Sequence, residues 1–599
     1  MQTAFAGILG FQNVITDYDI KNLTSVFSRA TGQPSVHRFA GAALAGTAIS
    51  SGPNRQAERA CGDVVMLANS TNVIHADHLF NNSDCRNSGV DHDDLSKQRL
   101  DILRSGLLAL RGGFALAAYQ PHEKKLVLIR DPIGIKSLYY VTQGGRFYFG
   151  SRIGLLLALL PETPDIDPGA FGEYLQAGFV DGDKTLVRSM HRVLPGELVE
   201  VDKHLNIRHF HYWSLNDGDG LSQSSQRGYA ERDLQKVLSA AVADSVESSS
   251  SPGLLLSSGT DSVALLALMK RARPEKVFTF TLGYSPCGKH CEIDDASVIA
   301  RDLGSIHVTL RIDAAKALRR MPNMVWASDE LINDPATLPL SFLSEAASHS
   351  CDRIITGDGA DEVFGADRAY RRSRLSRWYR NIQYPGTFGV GTKPLFQDNW
   401  IDQVLIPHAA KAAHDWRTPQ LRRFMNAPDE WSFLRKSQYT DVAMALPNQY
   451  AIKVERQAIA FGLSTSLPYM DTRVIDFGLG LEDGLKVQGN EGKILLKRWV
   501  RNSVASPSLS VKKRGLSVPT AHWISSSELG KVENALLRHE ALTSFCRIDG
   551  LKALFNAYRQ GRGTNREIWS LLQFALWYRI FVDGRGVMPE LSESLLDWL

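Results

Sequence analysis

The sequence predicts an α/β protein with more than one domain, and three observations support this prediction. The chain has 599 residues, which exceeds the length over which one hydrophobic core usually grows. From the first residue to about Asp202, short apolar or alternating runs rich in β-branched and aromatic residues predict strands. Further along, helical periodicity alternates with brief apolar strands, which predicts a parallel sheet wrapped by helices.

Turn residues separate the predicted strands of the first half. Gly144-Gly145 divides Leu138–Thr142 from Arg146–Gly150, and Pro195-Gly196 precedes Glu197–Val201. Glycine and proline favour tight turns at such positions. These strands are therefore expected to form hairpins.

A polar segment divides the chain. Residues 214–227 are rich in Asn, Asp, Gly, Ser and Gln, which cannot bury enough apolar surface to pack. We therefore expect a first domain of residues 1–213, a linker of residues 214–227 and a second domain of residues 228–599. From about residue 375 onwards, Trp, Arg and Leu recur at helical spacing and predict a mostly helical extension of the second domain.

The second domain is expected to begin as a strand and helix alternation. Strands are predicted at Leu254–Leu256, Val277–Leu282 and Arg353–Thr356, and Val263–Met269 has helical periodicity. Such an alternation is typical of parallel sheets, in which helices connect successive strands.

Composition excludes several classes of partner. Lys and Arg number 68 and Asp and Glu number 64, a surplus of 68 − 64 = 4 that is too small to indicate a nucleic acid or a membrane surface. The longest apolar run, Gly154–Leu160, is too short to cross a bilayer. The six cysteines are few and scattered, which suits free thiols in a reducing cytosol. A cytoplasmic protein is expected.

The first candidate site follows the predicted strand Leu254–Leu256. Small residues there let the backbone approach an anion, and N–H groups at the helix start would point at it. The hydroxyls of Ser257, Ser258 and Ser262 add donors, and Asp261 suits a divalent cation placed between its carboxylate and phosphate oxygens. From the residues alone, an ordinary turn that caps a helix is the alternative.

The second candidate site follows the predicted strand Arg353–Thr356. Asp358, Asp361 and Glu362 crowd a turn that contains several glycines, at the end of a strand where open α/β sheets bind ligands. A metal ion would neutralise these carboxylates. A solvated acidic loop is the alternative.

Both segments resemble known motifs. Ser257–Ser262 resembles the pyrophosphate loop of ATP pyrophosphatases, with Ser258 in place of its first glycine, and Thr356–Gly365 resembles the signature of the asparagine synthetase family. Further segments similar to that family follow the same order: Arg130–Lys136, Val193–Gly196, Asp334-Pro335, Leu467–Asp471 and Lys513–Pro519. The resemblance covers nearly the whole chain. It implies an N-terminal Ntn-hydrolase-like αββα sandwich of the glutamine amidotransferase type, followed by a parallel-sheet ATP-pyrophosphatase domain with a helical extension.

The resemblance also implies a ligand set of ATP and Mg²⁺. Asp261 and Asp361 would be the magnesium carboxylates. Lys493 would stabilise charge on the phosphates as an acyl-adenylate forms and breaks down, and Asp358 would act on the acceptor side, so both would be catalytic. Two leucines would flank the adenine. The ATP-binding residues implied in this way are Leu256, Ser257, Ser258, Gly259, Asp261, Ser262, Leu282, Thr356 and Gly357.

The glutaminase nucleophile of the family has no counterpart in this chain. The family opening Met-Cys-Gly-Ile-x-Gly aligns with Phe5–Gly10, which places Ala6 at the cysteine position behind five extra residues. A methyl group cannot attack an amide. The first domain is therefore expected to be degenerate, without glutaminase activity.

The reaction amine must then come from another source. In two family branches, the β-lactam synthetases and the lasso peptide cyclases, the substrate supplies its own amine. Asp358 and Asp361-Glu362 keep the synthetase form of the signature, and the degenerate first domain and long helical tail resemble the lasso cyclases. We therefore expect AMP-forming macrolactam closure of a precursor peptide, in which an Asp or Glu side chain joins the peptide α-amine.

The resemblance implies a leader-binding protein and a leader peptidase as partners. Three alternatives stay open. The first is an asparagine synthetase-like enzyme that uses free ammonia, and the second is β-lactam synthetase-like cyclisation of a small substrate. The third is a catalytically inactive scaffold that binds a peptide or nucleotide.

Overall fold

The computed structural model consists of two compact units. The described residues are 4–10, 15–30, 35–39, 41–47, 58–61, 64–70, 104–216, 229–285, 292–366, 370–371, 375, 378–379, 382, 394–504, 518, 523, 526–590 and 593–599. Residues 1–163 and 189–217 form the first unit, and residues 164–188 and 218–599 form the second. The segment 164–188 thus belongs to the second unit, although its sequence position falls within residues 1–213. Most of the predicted linker and of the motif Lys513–Pro519 lies outside the described residues.

The first unit contains two six-stranded antiparallel sheets, with strand orders β10-β8-β9-β1-β3-β2 and β12-β11-β7-β6-β5-β4. The hairpins predicted around Gly144-Gly145 and after Pro195-Gly196 are confirmed as β8–β9 and β11–β12. The strands are β1 (Ala4–Leu9), β2 (Ser35–Phe39), β3 (Ala42–Thr47), β4 (Glu58–Cys61), β5 (Val64–Ser70), β6 (Phe114–Gln120), β7 (Lys125–Arg130), β8 (Tyr139–Gln143), β9 (Arg146–Gly150), β10 (Met190–Arg192), β11 (Glu197–Val201) and β12 (Ile207–His211), and the helices are α1 (Asp17–Ala30) and α2 (Ile153–Leu159).

An apolar core lies between the two sheets. Alternate residues of β6 point to opposite sides, as the pleat of a strand requires. Ala115 and Ala117 join the core shared with β1 and β9, whereas Phe114 and Leu116 pack with the helical residue Leu107 on the outer side. On the other sheet, α1 contacts β3 and α2 contacts β9. The predicted αββα sandwich is confirmed.

The segment Arg130–Lys136 has a structural role in the first unit. The fully buried guanidinium of Arg130 donates hydrogen bonds to the carbonyl oxygens of Gly134, Lys136 and Val193, at 2.8, 2.6 and 2.9 Å. The carboxylate of Asp131 accepts from the backbone N–H groups that follow it, from residue 133 to residue 136. These two side chains replace the hydrogen bonds that a buried turn would otherwise lack.

The second unit is built on a five-stranded parallel sheet with the order β15-β14-β13-β16-β17. The three strands that the sequence predicts are confirmed as β13, β14 and β16. The other two strands, Ile306–Ile312 and Ser464–Ser466, were missed, and the second of them comprises three small polar residues within a region of helical periodicity. The strands of this sheet are β13 (Pro252–Leu255), β14 (Phe278–Tyr284), β15 (Ile306–Ile312), β16 (Arg353–Ile355) and β17 (Ser464–Ser466), and a separate hairpin comprises β18 (Val487–Gln488) and β19 (Glu491–Gly492).

Helices surround this sheet and make up most of the predicted extension. In the described part of the chain, none of them has the length and apolar character needed to span a lipid bilayer. The helices of the second unit are α3 (Pro168–Ala177), α4 (Ala230–Glu247), α5 (Thr260–Ala272), α6 (Ile293–Asp302), α7 (Ala314–Ser328), α8 (Thr337–Ser348), α9 (Ala360–Phe364), α10 (Asp398–Val404), α11 (Pro407–His414), α12 (Thr418–Asn426), α13 (Phe433–Ala445), α14 (Ala451–Ala460), α15 (Thr472–Gly480), α16 (Asp483–Lys486), α17 (Ile494–Ser503), α18 (Ser526–Arg538), α19 (Glu540–Phe545), α20 (Ile548–Arg559) and α21 (Asn565–Tyr578).

Two of the six cysteines can be described as free thiols. Cys351 and Cys546 are both buried and unpaired. This confirms for these two residues the free thiols that the sequence predicts, while Cys85, Cys287 and Cys291 lie outside the described residues.

Candidate active site

The loop between β13 and α5 is organised by its own serine side chains. Ser262 Oγ accepts a hydrogen bond from Ser257 N at 3.1 Å and lies 2.9 Å from Ser257 O, while Ser257 Oγ accepts from Gly259 N at 3.2 Å. Gly259 is the N-cap of α5, and no side chain caps this helix. The first N–H groups of the helix therefore remain available to an anion, as the sequence predicts. Ser258, which replaces a glycine, is not among the residues with positive φ.

The loop between β16 and α9 lies against the first loop. A Cβ atom placed on Gly357 would lie 3.2 Å from the Cβ of Asp261, so only glycine allows this approach without a shift. Gly359 has φ = 93°, in the left-handed region that favours glycine. Thr356 Oγ1 donates a hydrogen bond to Asp358 Oδ2 at 2.8 Å. Because β13 and β16 are adjacent parallel strands, their carboxyl ends bring both loops to one edge of the sheet.

Lys493 joins the two aspartates that the sequence singles out. Its Nζ lies 2.5 and 2.6 Å from the two carboxylate oxygens of Asp261 and also forms an ion pair with Asp361. Burial opposes the charge of Lys493, but the two carboxylates outweigh it and raise the pKa of this lysine. Lys493 itself has φ = 57°, an uncommon conformation for a residue with a side chain, immediately before α17. The two carboxylates therefore converge on a single cation.

A cavity of about 250 Å³ opens between these loops. The lining has an apolar part, which includes Leu256, Phe280, Leu282, Leu340 and Leu343, and a polar part, which carries the carboxylates. Of the residues that the sequence singles out, those that line the cavity are Leu256, Ser257, Asp261, Ser262, Leu282, Thr356, Gly357, Asp358, Asp361 and Glu362. Ser258, Gly259 and Lys493 are not among the lining residues. Ser258 and Gly259 belong to the first loop, and Lys493 contacts Asp261 and Asp361.

Glu362 adds a further carboxylate to the polar end of the cavity. Burial, together with the neighbouring charge of Asp361, raises the pKa of Glu362 to about 8. The charge of Glu362, followed by burial, raises the pKa of Tyr450 well above its ordinary value. The raised pKa of Glu362 reflects both its burial and the negative charge around it, and such surroundings favour cationic or metal-bound ligands.

The sequence did not single out four residues that complete the site. Lys453 lines the cavity and forms an ion pair with Asp334 at 2.9 Å, and Tyr469 Oη donates to the backbone oxygen of Asp261 at 3.0 Å. Asp334 and Tyr469 belong to segments that resemble the family, so these resemblances were the available signal. For Lys453 the signal was a run of charges, Lys453-Val454-Glu455-Arg456, within an otherwise apolar helix. The missed residues are Lys453, Asp334, Tyr450 and Tyr469.

Ala6, the position that the sequence resemblance aligns with the family nucleophile, lies inside the first unit. Ala6 is in the middle of β1, has no exposed surface and pairs with Ala45 and Gly150 of the neighbouring strands. Its side chain is a methyl group that lies opposite glycine and alanine. Nothing at this position can act as a nucleophile.

Comparison with known proteins places both parts of the chain. The family described as Asparagine synthase matches residues 233–579, and the family described as Glutamine amidotransferase domain matches residues 101–213. The chain is 26% identical over 516 residues to asparagine synthetase [glutamine-hydrolyzing] 1 of Bacillus subtilis (strain 168), and the aligned region covers 81% of this chain and 80% of that protein. It is 27% identical over 527 residues to a putative asparagine synthetase [glutamine-hydrolyzing] of Mycobacterium bovis, and the aligned region covers 81% of this chain and 79% of that protein. It is also 27% identical over 286 residues to the amidase chyE of Penicillium rubens, and the aligned region covers 45% of this chain and 41% of that protein.

Proposed function

The chain belongs to the asparagine synthase family, and from this premise we propose that its second unit activates a substrate carboxylate with ATP and joins it to an amine. The convergence of Asp261, Asp361 and Lys493 at the edge of the parallel sheet supports the proposal most strongly. These residues come from three separate parts of the chain. Such a buried arrangement costs desolvation energy, and binding of a metal-bound nucleotide would explain why it is kept.

The residues present fit a nucleotide bound with a divalent cation. Asp261 and Asp361 already share one cation, Lys493 Nζ, so their oxygens can reach a common point. Among the described residues, no group of three His, Cys, Asp or Glu side chains is arranged to hold a metal ion by itself. This suits Mg²⁺, which is typically held by one or two carboxylates together with substrate phosphates. Bound there, the ion would neutralise phosphate charge and act as a Lewis acid.

The other end of the cavity fits adenine. Leu256 and Leu282 belong to its apolar lining, and Ser257, Ser262, Thr356 and Gly357 line the same cavity. We infer that the uncapped N-terminus of α5 and the serine hydroxyls bind the phosphates, with Ser258 and Gly259 shaping the turn.

The proposed reaction has two steps. In the first, a substrate carboxylate oxygen attacks the α-phosphorus, the bond to the β-phosphate bridge breaks, and pyrophosphate leaves. In the second, the amine nitrogen attacks the activated carbonyl carbon, the bond from that carbon to the AMP oxygen breaks, and AMP and a proton are released. Lys493 would stabilise charge on the phosphates in both steps, because a cation beside developing negative charge lowers the barrier. Asp358 would orient the amine.

We propose that the amine belongs to the same molecule as the carboxylate. Ala6 supports this choice, because the first unit offers no nucleophile at the position that would release ammonia from glutamine. A lasso precursor peptide, cyclised between an Asp or Glu side chain and its α-amine, fits the retained Asp358 and Asp361-Glu362. A leader-binding protein and a leader peptidase would then prepare the peptide. Holding both ends in one cavity would replace a slow encounter with a positioned one.

The decisive experiment compares three substrates with the full chain and Mg·ATP. These are a synthetic peptide with a free α-amine and an internal glutamate, the same peptide with an acetylated α-amine, and aspartate with ammonium. Cyclisation predicts pyrophosphate release with loss of one water from the free peptide, and no ring from the acetylated one. Asparagine formed from aspartate and ammonium would instead identify the free-ammonia alternative. An absence of pyrophosphate with every substrate would contradict the ligase proposal.

A further inference from the structure

A second buried lysine reaches the cavity from a different helix. Lys453 lies on α14, directly after a π-helical turn at Leu446–Tyr450, and only 7% of its side chain is exposed. Its Nζ lies 2.9 Å from Asp334 Oδ2, 3.4 Å from Asp358 Oδ1 and 4.7 Å from the centre of the Tyr450 ring. The ammonium group is therefore surrounded by two carboxylates and an aromatic face.

The charge of this lysine is secured by its neighbours. Burial opposes it, but Asp334 and Asp358 outweigh burial and raise the pKa of Lys453. Burial would likewise raise the pKa of Asp334, yet the charge and hydrogen bond of Lys453 lower it. Both groups stay ionised near neutral pH, so the pair is a permanent feature of the cavity wall.

Lys453 is poorly placed to bind an incoming carboxylate. It already faces two carboxylates, and Asp261 and Asp361 line the same cavity. A third carboxylate at its ammonium group would meet more negative than positive charge, which disfavours binding. The contact with Asp358 must therefore serve another purpose.

The two oxygens of Asp358 are held from opposite sides. Thr356 Oγ1 donates to Oδ2 at 2.8 Å, and Lys453 pairs with Oδ1. The orientation of the Asp358 carboxylate consequently depends on these two side chains.

Building on the function proposed above, we propose that Lys453 is a positioning residue that holds the Asp358 carboxylate in the orientation that directs the acceptor amine. Asp334 completes the arrangement, because it anchors the ammonium group from the other side. Lys493 serves the phosphate end of the cavity and Lys453 serves the acceptor end. Loss of Lys453 should thus impair the second step of the reaction and spare the first.

The test separates the two steps with the two synthetic peptides. ATP–pyrophosphate exchange with the acetylated peptide measures carboxylate activation alone, and ring formation with the free peptide measures both steps. For Lys453→Met we expect exchange within about threefold of wild type and ring formation reduced about 100-fold, as for a misplaced reacting group. Lys453→Arg should recover most of the ring formation, because it keeps the charge. Asp358→Asn combined with Lys453→Met should be no slower than Asp358→Asn alone, since both act as one unit.

The matched control is another buried lysine of the same unit. Lys486 is fully buried and donates to Gln438 Oε1 and Leu479 O at 3.0 Å, and it is not among the cavity-lining residues. Lys486→Met should lower stability, with any loss of activity shared equally by both steps. Equal losses of exchange and ring formation in Lys453→Met would overturn the positioning role, as would an additive double variant. If Lys453→Met does not fold, Asp334→Asn replaces it and should show the same selective loss of ring formation.

The wild-type enzyme distinguishes the two levels of the proposal. If the wild-type protein exchanges pyrophosphate and closes the ring, and Lys453→Met does both equally well, only the role of Lys453 is overturned. Wild-type protein that exchanges no pyrophosphate overturns the proposed function and this inference with it.

Discussion

Replacing Lys493 with methionine tests the central electrostatic feature of the site. Its ammonium group is the cation that Asp261 and Asp361 share, and only 4% of the lysine side chain is exposed. Without it, two carboxylates that both reached one ammonium group lie within about 6 Å of each other. At an effective dielectric constant of about 20, their repulsion amounts to about 3 kcal/mol. We therefore expect Lys493→Met to lose about 3 kcal/mol of unfolding free energy. This is at the lower end of the cost of breaking a buried ion pair, because 35% of the Asp361 side chain is exposed.

Urea unfolding followed by tryptophan fluorescence measures this loss in the correct unit. Ten of the eleven tryptophans belong to the second unit, the exception being Trp213. Lys497→Met is the matched control on the same helix. Lys497 pairs with Glu491 at 2.9 Å, but the side chains are 31% and 48% exposed, so this change should cost less than about 1 kcal/mol.

Mg²⁺ provides the second arm of the same experiment. In Lys493→Met, the unpaired carboxylates should bind the ion, and at 100 times its dissociation constant the ion would restore about 2.7 kcal/mol. Wild-type protein should gain less, because its lysine must first leave the carboxylates. Unfolding curves of Lys493→Met and Lys497→Met that coincide would refute the shared-cation arrangement. A stability loss that Mg²⁺ leaves unchanged would refute the metal role of the two aspartates.

Three further predictions concern neighbouring residues. Burial and a neighbouring carboxylate raise the pKa of Glu362 from 4.5 to about 8, so the folded protein binds more protons than the unfolded chain in this window and stability falls as pH rises through it. Glu362→Gln should remove this decline in urea unfolding measured from about pH 5 to about pH 8, and an unchanged slope would count against the shift. Gly357→Ala forces a contact with Asp261 and should weaken Mg·ATP binding at least tenfold, or about 1.4 kcal/mol, in titration calorimetry. Gly530→Ala, in an open helical position, should leave binding unchanged and raise stability by about 0.5 to 1 kcal/mol. Tyr469→Phe removes a hydrogen bond to a backbone oxygen and should cost about 1 kcal/mol in urea unfolding, whereas wild-type stability would argue against that bond.

The two loops of the site could be predicted because each follows a strand of the same parallel sheet. Leu254–Leu256 and Arg353–Thr356 were recognisable as apolar runs that end in small and acidic residues. Parallel strands place their carboxyl ends at one edge, so Asp261 and Asp361 were expected to meet there. The structure brings them to one cation, Lys493.

Other parts of the site gave weaker signals in the sequence. β17 is only three residues long, and Ser464-Thr465-Ser466 has neither the length nor the apolar character of a buried strand. It still completes the sheet, because its backbone pairs with β16. Lys453 has no local motif, and its role arises from Asp334, which is 119 residues away in the chain. Sequence patterns describe neighbours along the chain, whereas contacts of this kind depend on tertiary packing.

The two lysines determine which ligands the cavity favours. Each ammonium group is shared by two carboxylates, Lys493 by Asp261 and Asp361, and Lys453 by Asp334 and Asp358. Each of these two groups has one positive charge and two negative charges, so each has a net negative charge. These groups would repel a nucleotide without a metal ion, whereas they would attract a metal-bound nucleotide or a protonated amine. The same excess of carboxylates would account for both the metal dependence proposed at the phosphate site and the preference for an amine proposed at the acceptor site.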